Sequence, residues 1–143
     1  MRFLTVLFVL VGLSSCTASS NALTTSAALP ELSSAASSAI ADDMVSRLAE
    51  QIGPGRGAIV LMQDASLFGQ TLFAALKQRG YAIVTDQEID DKTPTIQLAY
   101  MVDFFEGQTL VRLSSSNIEL TRAYNTNAAG ASPVSPLSVM QRS

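Results

Sequence analysis

Ile96, Leu98, Tyr100, Val102 and Phe104 alternate with Gln97, Ala99, Met101 and Asp103. Side chains a strand apart in parity point to opposite faces, so this strict period of two predicts a strand with one face on a core. Glu106-Gly107-Gln108 supplies a hairpin turn, and 109–113 returns as the pairing strand with Val111 and Leu113 inward. After the serine-rich stretch 114–117, a bulge or a tight loop, the alternation resumes at Ile118, Leu120 and Tyr124. Beyond it, Pro133 and Pro136 forbid a central strand, which leaves the tail as an edge strand or a mobile end.

Two helical patterns precede this sheet. Ile40, Met44, Val45, Leu48 and Ile52 recur at helical spacing, with Ser37 or Ser38 as cap and Asp42 and Asp43 in the first turn. That predicts a helix of about fourteen residues, stopped by Gly53-Pro54-Gly55-Arg56-Gly57. Residues 58–62 are a short apolar strand. A second helix is capped by Asp64 or Ser66, has Phe68, Leu72, Phe73 and Leu76 on its apolar face, and ends at Gly80 behind Lys77 and Arg79. Residues 81–85 follow as a strand, which makes a β-α-β unit whose strands are neighbours or are separated by one added later. The expected fold is α+β, in the order α-β-α-β-β-β: a small sheet of about four strands with two helices packed on one face.

The N-terminus has a different character. Met1-Arg2 is a short positive region, 3–13 is apolar apart from Thr5 and Gly12, and small residues Ser14 and Ser15 follow. An apolar run of about ten residues is half what a membrane-spanning helix needs, so the pattern reads as a secretory signal. Leu13-Ser14-Ser15-Cys16 resembles a bacterial lipobox. The resemblance implies cleavage before Cys16, whose thiolate takes a diacylglyceryl group. Two or three acyl chains hold effectively permanently. Thr17 is not the aspartate that retains many such lipoproteins in the inner membrane, so by the same analogy the destination is the outer membrane, facing the periplasm. Ser, Thr and Ala then dominate to residue 38. As a coil this spacer has an end-to-end distance of about 25 Å, although Leu23, Leu29 and Leu32 are also suited to packing on a partner. The chain therefore divides into a leader (1–15), a lipidated cysteine with a flexible spacer (16–38), an α+β domain (39–125) and a Pro/Ser/Ala-rich tail or edge strand (126–143).

Composition narrows the chemistry. The chain has 143 residues, no His, one Cys and a net charge of −3. It lacks a basic footprint for nucleic acid and the commonest acid–base side chain. The glycines at 53–57 lack the Gly-Lys-Ser/Thr ending of a phosphate loop and stand before a strand. Asp86, Glu88, Asp90 and Asp91 fail the calcium-loop pattern, with Asp91 where Gly belongs and Gln97 where Glu belongs. A serine hydrolase would need Lys77 or Lys92 as its base, and neither stands in a Ser-x-x-Lys motif. No catalytic residue, metal site, cofactor or small-molecule substrate is expected; the one covalent group expected is the lipid on Cys16.

"AIVLMQDASLFGQTLFAALKQRGYAIVTD", "LAYMVDFFEGQTLVRLSSSNIELTRAYNT" and the closing "SPVSPLSVMQR", set behind a lipobox and spacer, resemble the TrbH family of conjugal transfer lipoproteins over nearly the whole chain. "YMVD", "LVRL", "TRAY" and "SPLSV" carry the specificity. The resemblance implies a structural or assembly part in a type IV secretion, mating-pair-formation apparatus, with channel subunits and the membrane as partners. Only the lipid-acceptor role carries over to a residue, Cys16. The residues themselves also accommodate a generic envelope-binding lipoprotein, such as an assembly factor or an exclusion protein acting on a rival cell.

Overall fold

The first helix begins earlier than its apolar spacing announces. In the computed structural model, which describes residues 31–55, 57–62, 64–84, 92 and 94–143, α1 runs Ser34–Ile52. The expected caps Ser37 and Ser38 lie inside it. Ser33 is the N-cap instead, its hydroxyl accepting from the Ala36 N–H and donating to the Asn127 carbonyl at 2.8 Å. In these early turns Ala36 and Ser37 are fully buried. Asp42 and Asp43 are consequently in mid-helix, not in the first turn. Gly53, at φ 88°, ends α1 as expected.

The remaining elements are β1 (Ala58–Leu61), α2 (Leu67–Gln78), β2 (Ala82–Val84), β3 (Thr95–Phe105), β4 (Gln108–Ser114), β5 (Ile118–Asn127), β6 (Gly130–Pro133) and β7 (Ser138–Gln141). Ser66 caps α2 by accepting from the Gly69 N–H, and Gly80 turns the chain at φ 89°. The leader, Cys16, the spacer up to residue 30, and the acidic residues Asp86, Glu88, Asp90 and Asp91 lie outside the described residues.

The α+β class stands, but the sheet is larger than the expected four strands. Among the described residues it has seven, in the order β2-β1-β3-β4-β5-β6, with β7 also on β5. β1 is parallel to both β2 and β3, so the strands of the β-α-β unit are direct neighbours and β3 is added on the far side of β1. Flanked on both sides, β1 is buried along its whole length, as continuous apolar runs in parallel strands are. From β3 onward the sheet is an antiparallel meander. The β3–β4 turn is two residues, Glu106 (φ 50°) and Gly107 (φ 77°), the left-handed pair that matches strand twist, and Gln108 already belongs to β4. The serine stretch closes a tight loop: Ser115 bonds the Ile118 carbonyl through its N–H, and its hydroxyl accepts from Asn117 and Ile118.

The tail accounts for two of the extra strands. β6 pairs with the C-terminal half of β5 and β7 with the N-terminal half, so residues 130–141 form one outer strand broken at 134–137. Prolines interrupt a ladder because they cannot donate. Here the Ser135 hydroxyl bridges the gap by accepting from the Ala123 N–H.

Both helices feed one core. Ile40, Met44 and Leu48 of α1 and Leu72 and Leu76 of α2 are fully buried, with Ile59, Leu98, Val111, Leu113, Leu120 and Tyr124 of the sheet in the same cluster. The register aligns Tyr100, Leu113 and Leu120 in one row and Phe104, Thr109 and Tyr124 in another, which places them on the helix-facing side. The opposite side of the sheet carries Met101, Phe105 and Met140, all exposed.

Candidate interaction surface

Two polar clusters arise where helices meet this sheet. Asp43, in mid-α1, faces β5: the Arg122 guanidinium donates to its Oδ2 at 2.9 Å and the Tyr124 hydroxyl at 2.7 Å. Arg47 approaches from the next turn at 3.7 Å. Arg122 also donates through Nε to the Ser135 carbonyl, so a single side chain ties the helix to the broken outer strand. Burial, then the neighbouring Asp43 carboxylate, pushes the Tyr124 phenol far above its usual range. The hydroxyl stays a donor, and the cluster fastens α1 to the sheet.

The second cluster opens to solvent. Asp64 accepts from both the Ser66 N–H at 3.0 Å and the Ser66 hydroxyl, and the Tyr100 hydroxyl lies 3.0 Å from Ser66 Oγ. These bonds, led by that from the Ser66 side chain and then that from Tyr100, hold the Asp64 carboxyl below its ordinary 3.8. Burial is the main reason the Tyr100 phenol is raised. A carboxylate with a depressed pKa is a weak general base, and the Ser66 hydroxyl already serves as helix cap. The trio therefore organises the start of α2. The Lys77 ammonium, considered above as a base, sits over the Phe73 ring at 4.7 Å.

Beside this trio runs an apolar groove of about 360 Å³, walled by Leu32, Leu67 and Phe68 on one side and by Tyr100, Val102 and Phe104 of β3 on the other. Phe68 and Tyr100 meet edge to face, with ring centroids 5.4 Å apart. Asp64 and Glu31 rim it. The groove exists because the two strands differ in length: β1 is 4 residues long and β3 is 11, so β1 reaches only Leu98 and the chain then turns away into α2. Sequence reasoning placed Tyr100, Val102 and Phe104 on one face of the strand, and missed that among the described residues this part of β3 has a strand neighbour on one side only. The ratio of strand lengths was the available signal.

The lipobox residues Leu13, Ser14, Ser15 and Cys16 lie outside the described residues, so no geometry is assigned to them. Among the described residues no helix is long and apolar enough to cross a membrane, and no group of three or more His, Cys, Asp or Glu side chains is placed to hold a metal ion.

Comparison with known proteins supplies what the geometry alone does not name. No solved structure matches the chain. A protein of Sinorhizobium fredii (strain NBRC 101917 / NGR234), described as a probable conjugal transfer protein TrbH, is 47% identical over 147 residues, which take in 99% of this chain and 99% of the relative. The family described as conjugal transfer protein TrbH matches residues 18–143, from just behind Cys16 to the last residue. On both grounds, the chain belongs to the TrbH family of conjugal transfer proteins.

Proposed function

We propose that this protein is an outer-membrane lipoprotein that serves as a structural or assembly component of a conjugative type IV secretion apparatus. The observation that carries this reading is the end-to-end similarity to a probable conjugal transfer protein. A diacylglyceryl group on Cys16 fastens the chain to the membrane, the stretch from Thr17 acts as a tether, and the α+β domain docks onto channel subunits in the periplasm. Two features support docking over chemistry. The polar clusters at Asp43 and Asp64 are consumed in holding helices to the sheet, and the accessible groove is apolar with an acidic rim. The lipid part rests on the apolar run, the small residues and Cys16, in that order.

The test is an affinity pull-down through a C-terminal tag from detergent-solubilised donor-cell envelopes, comparing the native chain with Cys16→Ser. Co-purification of secretion-channel subunits with the native chain, and their depletion with Cys16→Ser, is the expected result. An intact, membrane-bound protein that recovers no channel subunit refutes the assignment.

A further inference from the structure

We infer that the free edge of β3 over residues 99–105 is a strand-addition site that takes an extended segment of another subunit, apolar at alternate positions and carrying Lys or Arg. The inference rests on the docking role proposed above and gives that role a place and a chemistry.

The argument starts from the hydrogen-bond parity of the β3–β4 hairpin. A two-residue turn makes Phe105 and Gln108 a hydrogen-bonded pair, and the register then makes Asp103–Leu110, Met101–Arg112 and Ala99–Ser114 the further bonded pairs. The backbone groups of Tyr100, Val102 and Phe104 therefore point the other way, to the side where β1 has already ended at Leu61. Among the described residues no strand pairs with them. Three successive outward N–H and C=O sets beside an apolar groove form a ready template for another strand.

Among the described residues the other edges of the same sheet are short or broken by proline, and this one is neither. β2 is only 3 residues long. The outer strand β6–β7 has Pro133 in its pairing segment and Pro136 in its break. Short strands and prolines are the usual guards against edge pairing. Residues 99–105 contain no proline, lysine or bulge, and their exposed flank carries Met101 and Phe105, 52% and 68% exposed, with Asp103 between them as a further acid that favours a basic partner.

Charge selects among occupants. Glu31 and Asp64 stand on the rim, and hydrogen bonds from Ser66 and Tyr100 favour the ionised form of Asp64. A second copy pairing edge to edge would bring these acids against their own counterparts, in a chain of net charge −3. The chain's own residues 17–30 could reach the groove, since Glu31 and Leu32 line it, but they carry no charge to answer the rim. A basic, alternating segment of a different subunit meets the backbone edge, the groove and the rim together.

The experiment uses the full-length lipoprotein in donor cells, with photoreactive benzoylphenylalanine in place of Leu67, which is 41% exposed on the groove wall. The expected adduct is with one extended, alternating, Lys- or Arg-bearing segment of a different channel subunit, located by peptide mass spectrometry. Val102→Pro removes an outward donor without touching the β4 ladder, and should lower the yield at least about tenfold. Glu31→Lys leaves the backbone intact and should lower it about threefold. An adduct with residues 17–30 of the same chain, an adduct with a second copy, or a yield unchanged by Glu31→Lys overturns the inference. So does the absence of any adduct while the protein still co-purifies with the channel, a result that would leave the proposed function standing. Loss of co-purification itself would instead strike the proposed function.

Discussion

Arg122→Met tests whether the Asp43 cluster holds α1 to the sheet. The substitution keeps an aliphatic stem of similar reach and removes the guanidinium, so mainly polar interactions are lost. One is the charge-assisted bond to Asp43 at 2.9 Å, between side chains 16% and 23% exposed. A bond of that kind contributes about 1.5–3 kcal/mol when dry. The second is the 3.1 Å bond to the Ser135 carbonyl, worth roughly 1 kcal/mol. Residual solvent, together with the Tyr124 hydroxyl and Arg47 still facing Asp43, reduces the total, and a loss of about 2–3 kcal/mol is expected. For a domain of this size that lowers Tm by about 8–12 °C. The assay is urea unfolding of a form lacking residues 1–16, carried through a double-mutant cycle with Asp43→Asn. The expected coupling energy is about 1–2 kcal/mol. Two single effects that simply add, with a coupling below about 0.5 kcal/mol, would refute the claim that these residues act as a clasp.

Three further outcomes follow from the same geometry. Gly69→Ala raises intrinsic helix propensity, yet an added Cβ would sit 2.5 Å from both Asp64 Oδ1 and Tyr100 OH; it should lower the urea midpoint and raise Tyr100 accessibility to iodination. Asp64 has a folded pKa below its unfolded value of 3.8, so its contribution is present above about pH 4 and is lost as pH falls through the folded pKa; Asp64→Asn should be less stable than the native chain at pH 7, with the gap closing toward pH 2, as read by urea midpoints. Tyr124 has a folded pKa raised above its unfolded value of 10.0, so its contribution is present below about pH 10 and is lost as pH rises toward the folded pKa; Tyr124→Phe should cost about 1 kcal/mol at pH 7 and less at pH 11.

The elements with strong local signals were legible from residues alone. The alternation at 96–104, the glycines ending α1 and α2, and the Ser66 cap all reappear where their side-chain chemistry put them. What was not legible depends on partners distant in sequence. The first turns of α1 have no apolar stripe to mark them; their alanines and the Ser33 cap favour a helix locally, and burial of Ala36 and Ser37 with the Ser33 bond to Asn127 across 94 residues adds support that only the fold supplies. Pro133 and Pro136 excluded a central strand and left an edge strand or a mobile end open, and the residues alone did not choose between them. The outer strand forms because Ser135 and Arg122 together carry the connection across its break. The groove was hidden for a related reason: Phe68 and the β3 residues of its wall read as ordinary apolar faces, Leu32 read as part of a spacer, and its open side is set by where β1 stops.

The placement of Ser33 has a mechanical meaning. Any pull on the chain ahead of α1 arrives at Ser33, whose hydroxyl is bonded to Asn127 at the far end of β5. Should that contact give way, the load passes along the helix to Asp43, where Arg122 and Tyr124 of β5 hold the same carboxylate. Force is thus delivered to β5, a strand paired along both its edges, and spreads as shear across its ladders with β4, β6 and β7. A domain hung from its N-terminus is suspended in this way from an inner strand of its sheet, and the first helix works as a strap buckled at two points.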